Sequence, residues 1–144
     1  MALKNVPIVV KQECNTTVEK LWEAITNPEL MRQWYFNNIP DFKAKVGFST
    51  KFIVKTNTRV FPHIWKVTEV VPLKKLSYNW NFEGYKGSSI STFEIHSINN
   101  KPVLTLTAIV LDKFPEDIPE FKRESGLAGW NYLIKESLVA FLKK

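Results

Sequence analysis

The side chains best suited to chemistry are few and lie far apart along the chain. His63 and His96 are the two histidines, and Cys14 is the one cysteine. A histidine pKa near 6.5 suits acid–base catalysis, but neither ring has an obvious carboxylate partner in the sequence. Spacings typical of zinc sites, serine nucleophiles and phosphate-binding loops are absent. The sequence therefore predicts no catalytic residue, no metal and no cofactor.

Other polar residues keep an enzymatic interpretation open. Glu94 alternates in register with Ile90 and His96, and a carboxylate turned into a core would have a raised pKa. We favour the simpler interpretation that this face of the strand is solvated. An enzyme would require His96, Glu94, Asp41, Tyr78 or a similar group to point into a cavity. Cys14 is interpreted as a small packed residue rather than a reactive thiol.

Large rings are the more distinctive feature, since the chain has five Trp, four Tyr and ten Phe. Rings fill cores, but they also line apolar pockets, where Trp and Tyr offer polar atoms to a ligand. For any single ring, core packing is the better expectation, whereas the set as a whole suggests a pocket. The predicted ligand-binding residues are Trp34, Phe52, Trp65, Tyr78, Trp80, Phe93, Leu106, Leu127, Trp130 and Ile134.

Length and composition favour one globular domain over residues 1–144. The net charge is +6, but the basic residues are dispersed, so we expect no nucleic-acid partner. No apolar stretch approaches the roughly 18 residues of a membrane span. With one cysteine there is no intramolecular disulfide, and we expect a cytoplasmic protein. The sequence does not indicate an oligomeric state.

Two short helices are predicted after a first strand at residues 6–13. Thr16 with Glu19 matches a capping box for the first helix. Asn27 and Pro28 form a good start for the second, because Asn caps helices well and Pro is tolerated at the first helical position. The apolar spacing of residues 18–34 supports both helices.

A strand-rich middle and a late helix complete the pattern. Residues 42–111 supply most of a predicted sheet of six or seven strands, which we expect to be antiparallel because no helix is available for crossovers. The clearest is residues 76–82, where Leu76, Tyr78, Trp80 and Phe82 alternate with polar residues. Residues 88–98 and 103–111 predict a hairpin turning at 99–102, with Leu104 and Leu106 on one face. An acidic loop at 112–119 is interpreted as a solvated connector rather than a lid. A helix beginning between residues 120 and 125 and ending at Leu142 has one apolar face.

These segments resemble a known superfamily. The similar segments are residues 18–34, Val46-Gly47-Phe48 with Phe52, residues 71–80 and the closing helix with Gly129-Trp130, and they resemble SRPBCC domains. This START-like, birch-pollen-allergen-like superfamily has a branch named for the activator of the 90-kDa heat-shock protein ATPase, to which the chain is most similar. The resemblance implies an α+β helix-grip fold, in which a curved antiparallel sheet wraps a long C-terminal helix. It also implies a cavity between sheet and helix.

The resemblance leaves three functions open, because one fold serves many activities. The first, which we favour, is non-enzymatic binding of a small apolar or amphipathic ligand in the cavity. The second is a chaperone-associated interaction module. The co-chaperone that names the branch has a further N-terminal domain for which this chain has no room, so we do not expect its role to transfer. The third is a cavity enzyme of cyclase, isomerase or hydrolase type.

Overall fold

A six-stranded antiparallel sheet forms the centre of the fold in the computed structural model, which describes residues 6–143. Its strands are β1 (Ile8–Glu13), β2 (Ser49–Lys55), β3 (Val60–Val71), β4 (Lys75–Phe82), β5 (Ser88–Ile98) and β6 (Lys101–Asp112). Their spatial order is β1-β6-β5-β4-β3-β2, so β2 to β6 form a meander and β1 lies beside the last strand. Both the antiparallel pairing and the number of strands agree with the sequence prediction.

One face of the sheet is apolar and forms the floor of the core. Leu76 and Tyr78 on β4 are buried, as are Leu104 and Leu106 on β6, in the alternation that the sequence predicts. Residues 42–47, which we expected to begin the β region, form a loop instead. Within this loop Phe42 packs into the core, and Gly47 adopts a φ of 93° that turns the chain into β2.

The turn between β5 and β6 is shorter than predicted. Asn99 and Asn100 both have positive φ, at 53° and 67°, as a two-residue type I′ hairpin turn requires. Lys101 and Pro102 therefore belong to β6 and pair with Ile98 and Ser97. The twist of this turn matches the twist of the strands it joins, so the long β5–β6 hairpin continues without a break.

Two short helices follow β1, namely α1 (Val18–Thr26) and α2 (Pro28–Trp34). The prediction that Thr16 caps α1 was wrong by one residue, because Thr17 Oγ1 accepts the hydrogen bond from Lys20 N at 3.1 Å. The prediction for α2 is confirmed. Asn27 Oδ1 accepts from Glu29 N at 2.9 Å, and Pro28 is the first helical residue.

The C-terminal helix spans residues 123–142 and packs across the apolar face of the sheet. It is an α-helix over Arg123–Asn131, a π-helix over Tyr132–Leu138, which the sequence did not reveal, and an α-helix again over Val139–Leu142. In the π segment, Ser137 Oγ donates to Trp34 O at 2.5 Å and so ties the helix to α2. Among residues 6–143, no helix is both long enough and apolar enough to cross a membrane.

A buried tryptophan joins the two short helices. Ala24 O lies one turn before Pro28, which has no N–H to donate, so this carbonyl cannot complete a helical hydrogen bond. Trp34 Nε1 donates to it at 2.7 Å, in a fully buried contact. The indole N–H therefore supplies the donor that proline lacks at the corner between α1 and α2.

Replacement of this indole is expected to destabilise the fold. In Trp34→Phe, Ala24 O would lose its buried donor, which costs about 1–3 kcal/mol. Urea denaturation should therefore show a loss of unfolding free energy of at least this size. Trp22→Phe is the control, because Trp22 is half-buried on α1 and its substitution should cost less unfolding free energy. Equal stability losses for the two variants would contradict the capping role of Trp34.

Candidate functional site

A cleft of about 910 Å³ lies between the apolar face of the sheet and the first half of the C-terminal helix. Its sheet wall is formed by the ends of β4, β5 and β6 that lie away from α1 and α2. Its helix wall is formed by Gly126, Gly129, Trp130 and Leu133. The sheet extends beyond the region that α1 and α2 cover, so this end of the apolar face remains open.

Tyr35 lies at the inner end of the cleft, at the residue that ends α2. Its ring stacks on Trp34 with centroids 4.7 Å apart and on Trp65 at 5.2 Å. The Tyr35 and Tyr78 hydroxyls form a hydrogen bond of 2.7 Å. Burial raises the pKa of both phenols well above the usual value, so both are neutral. Sequence reasoning missed Tyr35, although the run Trp34-Tyr35-Phe36 directly after a helix end was a usable signal.

Residues 113–122 form the outer wall of the cleft, so the acidic loop is more than a solvated connector. Phe114 and Phe121 stack on each other with centroids 5.2 Å apart, and both contact Phe82. Phe114 also packs directly on Gly87, where a Cβ atom would collide with its ring. At the other end, Glu120 accepts hydrogen bonds from Arg59 Nη1 at 3.1 Å and from Thr56 Oγ1 at 3.2 Å. Ring contacts and this clamp hold the segment over the sheet.

The predicted ligand-binding residues divide between core and cleft. Trp80 and Trp130 line the cleft and meet edge to face with centroids 5.4 Å apart. Leu127 is half-buried against the core. The remaining seven lie inside the packed core: Trp34, Phe52, Trp65, Tyr78, Phe93, Leu106 and Ile134. The structure thus brings two of the ten together at the cleft, where the sequence did not single out their neighbours Phe36, Phe82, Phe114 and Phe121.

Uncharged polar groups lie inside the cleft and charged groups lie at its mouth. The Ser91 side chain, on β5, is only 2% exposed and forms part of the wall. Trp80 Nε1 is buried and has no hydrogen-bond partner among residues 6–143. The mouth carries both signs of charge, on Lys113, Glu116, Glu120, Lys122, Arg123 and Glu124.

The side chains best suited to acid–base or nucleophilic chemistry lie away from this cleft. Glu94 and His96 border a separate depression of about 630 Å³ beside the β3–β4 turn. Asp41 is exposed and accepts a hydrogen bond from Phe42 N. Burial raises the pKa of the Cys14 thiol to about 11, which keeps it protonated and unreactive. Residues 6–143 hold no group of three or more potential metal ligands.

His63 is buried among rings rather than in the cleft wall. It contacts Phe36, Phe52, Trp80 and Phe82, and Nδ1 lies 3.0 Å from Phe61 O, to which it donates. Burial lowers its pKa from the usual 6.5 to about 4, although the hydrogen bond to Phe61 O partly opposes this shift. The imidazole is therefore neutral at neutral pH.

This lowered pKa predicts a pH-dependent stability. In the unfolded chain His63 binds a proton below about pH 6.5, whereas in the folded chain it binds one only near pH 4. Stability is therefore full above pH 6.5 and falls as the pH drops toward 4, by about 3 kcal/mol from this group. His63→Gln should flatten that part of the urea-denaturation profile, and His96→Gln should leave it intact because His96 is exposed. An unchanged slope in His63→Gln would contradict the assignment.

Comparison with solved structures identifies the fold. A Mesorhizobium loti protein is 28% identical, with 96% of this chain and 97% of that chain covered and a TM-score of 0.72. A Rhizobium loti protein is 13% identical, with coverages of 95% and 96% and a TM-score of 0.81. A structure described as the Aha1 dimer from Colwellia psychrerythraea is 20% identical, with coverages of 95% and 96% and a TM-score of 0.71. No curated protein has significant similarity to the chain.

The sheet wrapped around the C-terminal helix, with two short helices after β1, is the helix-grip arrangement of these Aha1-like neighbours. The model of one family, described as Activator of Hsp90 ATPase homolog 1-like protein, matches residues 15–143. This match extends from the residues just before α1 to the end of the C-terminal helix. The chain therefore belongs to the activator of Hsp90 ATPase homolog 1-like family, a branch of the SRPBCC superfamily.

Proposed function

We propose that this protein binds a small, largely apolar ligand in the cleft between its sheet and its C-terminal helix. The observation that carries the proposal is the cleft itself, which has about 910 Å³ of space and walls that contain eight aromatic side chains together with aliphatic ones. Pockets for small molecules typically measure about 300–1,000 Å³ and combine apolar walls with a few polar groups. Membership of a family with a ligand-binding type of fold is consistent with this function.

The distribution of polar groups favours an amphipathic ligand. Inside the cleft, the polar side chains of Ser89, Ser91 and Trp80 are uncharged, and Tyr35 is neutral because burial raises its pKa. A charged ligand atom placed there would lose its hydration without gaining an opposite charge, which costs several kcal/mol. The charged side chains all lie at the mouth. The ligand would therefore bury its apolar part and keep any charged group outside.

Trp80 and Trp130 are the predicted binding residues that we place in contact with the ligand. Their rings meet near the inner end of the cleft, and Phe82, Phe114 and Phe121 continue the apolar surface toward the mouth. Ring–ring contacts contribute about 0.5–1.5 kcal/mol beyond the area they bury, so they could supply much of the affinity. No covalent chemistry is required for this function.

Filling the cleft is the direct test. Ala108 faces the cleft from β6, so Ala108→Trp should occupy the space and lower the affinity for N-phenyl-1-naphthylamine at least tenfold in a fluorescence titration. Val9→Trp is the matched control, because Val9 is 50% exposed on β1 and does not line the cleft. It should bind like the wild type. Absence of probe binding by the wild type, or equal affinity in all three proteins, would refute the proposal.

Native mass spectrometry would identify the natural class of ligand. The protein should be purified from its own cells without organic solvent and measured intact. We expect an added mass of a few hundred daltons in the wild type that Ala108→Trp lacks. An added mass retained in full by Ala108→Trp would place the bound compound outside this cleft.

Association with a chaperone is a second candidate function. It is favoured by the description of the family and by the name of the Colwellia psychrerythraea structure, which the chain covers over 96% of its length. A calorimetric titration with a 90-kDa heat-shock protein at tens of micromolar would test it. Binding that Ala108→Trp preserves would support a protein-recognition surface separate from the cleft, and absence of binding would remove this candidate.

A further inference from the structure

Gly129 is a glycine that the folded protein itself does not require. It lies within the α-helical segment Arg123–Asn131, where glycine is less favourable than alanine. Its backbone does not adopt the positive φ that favours glycine, which occurs here only at Gly47, Gly84 and Gly87 among the described glycines. A Cβ atom built at this position meets no atom of another element within 4 Å. Neither conformation nor packing therefore explains the missing side chain.

The other cleft-lining glycine of this helix provides a contrast. At Gly126 a Cβ atom would approach Ile8 Cδ1 to 3.3 Å, which is tighter than ordinary contact. Close packing of the helix against β1 thus accounts for Gly126. Gly129 lies about one turn further along the helix, next to Trp130, where it is exposed and borders the cleft.

The opposite wall of the cleft supplies an independent sign of a ligand. Ser91 is 2% exposed and lies on the inward face of β5, where it pairs with Tyr78 and Ala108. Its neighbour Ser89 donates to Trp80 O at 2.7 Å, whereas no hydrogen bond joins the Ser91 hydroxyl to another described residue. The fully buried polar atoms without a partner among residues 6–143 are Trp65 Nε1 and Trp80 Nε1, so the Ser91 hydroxyl keeps some access to the cleft. A ligand oxygen or nitrogen in the cleft would supply the hydrogen bond that the protein does not.

We infer that Gly129 selects the ligand of this cleft, and that the ligand is a flat aromatic ring compound carrying an oxygen that reaches Ser91. The inference rests on the proposed function. A helix surface without a side chain gives a flat ring direct access to the backbone, flanked by the Trp130 ring. The other walls present rings from Trp80, Phe82 and Phe114, and aromatic ligands gain stacking and edge-to-face contacts there that an aliphatic chain cannot make.

The test compares two neutral probes on matched variants. Acridone is flat and aromatic and carries a carbonyl oxygen, whereas 1-dodecanol is a flexible chain with a hydroxyl. Gly129→Leu should weaken acridone binding at least tenfold and 1-dodecanol binding less than threefold, because a flexible chain can bend around the new side chain. Ala128→Leu is the control for added bulk, since Ala128 is exposed on the same helix and does not line the cleft. It should bind both probes like the wild type.

Two further variants keep the inference independent of any folding defect in Gly129→Leu. Gly129→Ala should raise the melting temperature of the ligand-free protein by about 2–6 °C, since it removes a helix-disfavouring residue without a clash. Ser91→Ala should weaken acridone binding about threefold to tenfold, and anthracene, which lacks the oxygen, should be unaffected.

The outcomes separate this inference from the proposed function. If the wild type binds neither probe, both fail. If the wild type binds acridone and Gly129→Leu binds it within twofold, or loses both probes equally, ligand binding stands and selection by Gly129 is refuted. A lowered melting temperature in Gly129→Ala would also refute it, because glycine would then serve the fold.

Discussion

The interior depends on the hydrogen bond between the Tyr35 and Tyr78 hydroxyls. Both phenols are buried, so each hydroxyl would carry a desolvation cost without the other. Tyr35 ends α2 and Tyr78 lies in the centre of β4, so this hydrogen bond ties the end of α2 to the sheet. The ring of Tyr35 packs against Trp34, Trp65 and Phe93 of the core. It also contacts Trp80 and Trp130 of the cleft wall. It marks the boundary between the core and the site.

Two linked hydrogen bonds strengthen the closed end of the fold. Ser137 donates to Trp34 O, and Trp34 Nε1 donates to Ala24 O, so the C-terminal helix, α2 and α1 are joined in sequence. Ile134 and Leu138 of the π segment are fully buried nearby. The first half of the helix has no comparable partner among α1 and α2 and faces the cleft instead. Rigidity at one end and open space at the other thus follow from where the short helices pack.

The sequence predicted which face of a strand each side chain lies on, but not whether an inward side chain meets the packed core or the open cleft. Alternation correctly assigned Leu76, Tyr78 and Trp80 to the inner face of β4, because side chains alternate with a period of two. Whether an inner-face residue meets a helix or an open cleft depends on its distance from α1 and α2, which periodicity does not contain. Tyr78 is therefore buried in the core, and Trp80, two residues later, lines the cleft.

The helix caps and the outer wall of the cleft also show which features the sequence can and cannot predict. Asn27 and Pro28 were predictable as a helix start because their preference is local, whereas the choice between Thr16 and Thr17 as the cap of α1 depends on backbone geometry. The wall formed by residues 113–122 was not predictable, since Phe114 owes its position to contact with Gly87, which is 27 residues away in sequence.

Charge explains what the cleft can recognise. The chain is basic overall, with a net charge of +6, yet the mouth carries three basic residues, Lys113, Lys122 and Arg123, against three acidic ones, Glu116, Glu120 and Glu124. Two of these acidic groups are already engaged, Glu116 with Lys113 at 2.8 Å and Glu120 with Arg59. A balanced mouth does not steer ligands of one sign, because attraction and repulsion largely cancel. Discrimination among ligands must then come from the interior, where the shape of the ring-lined walls and a few uncharged polar groups meet the ligand.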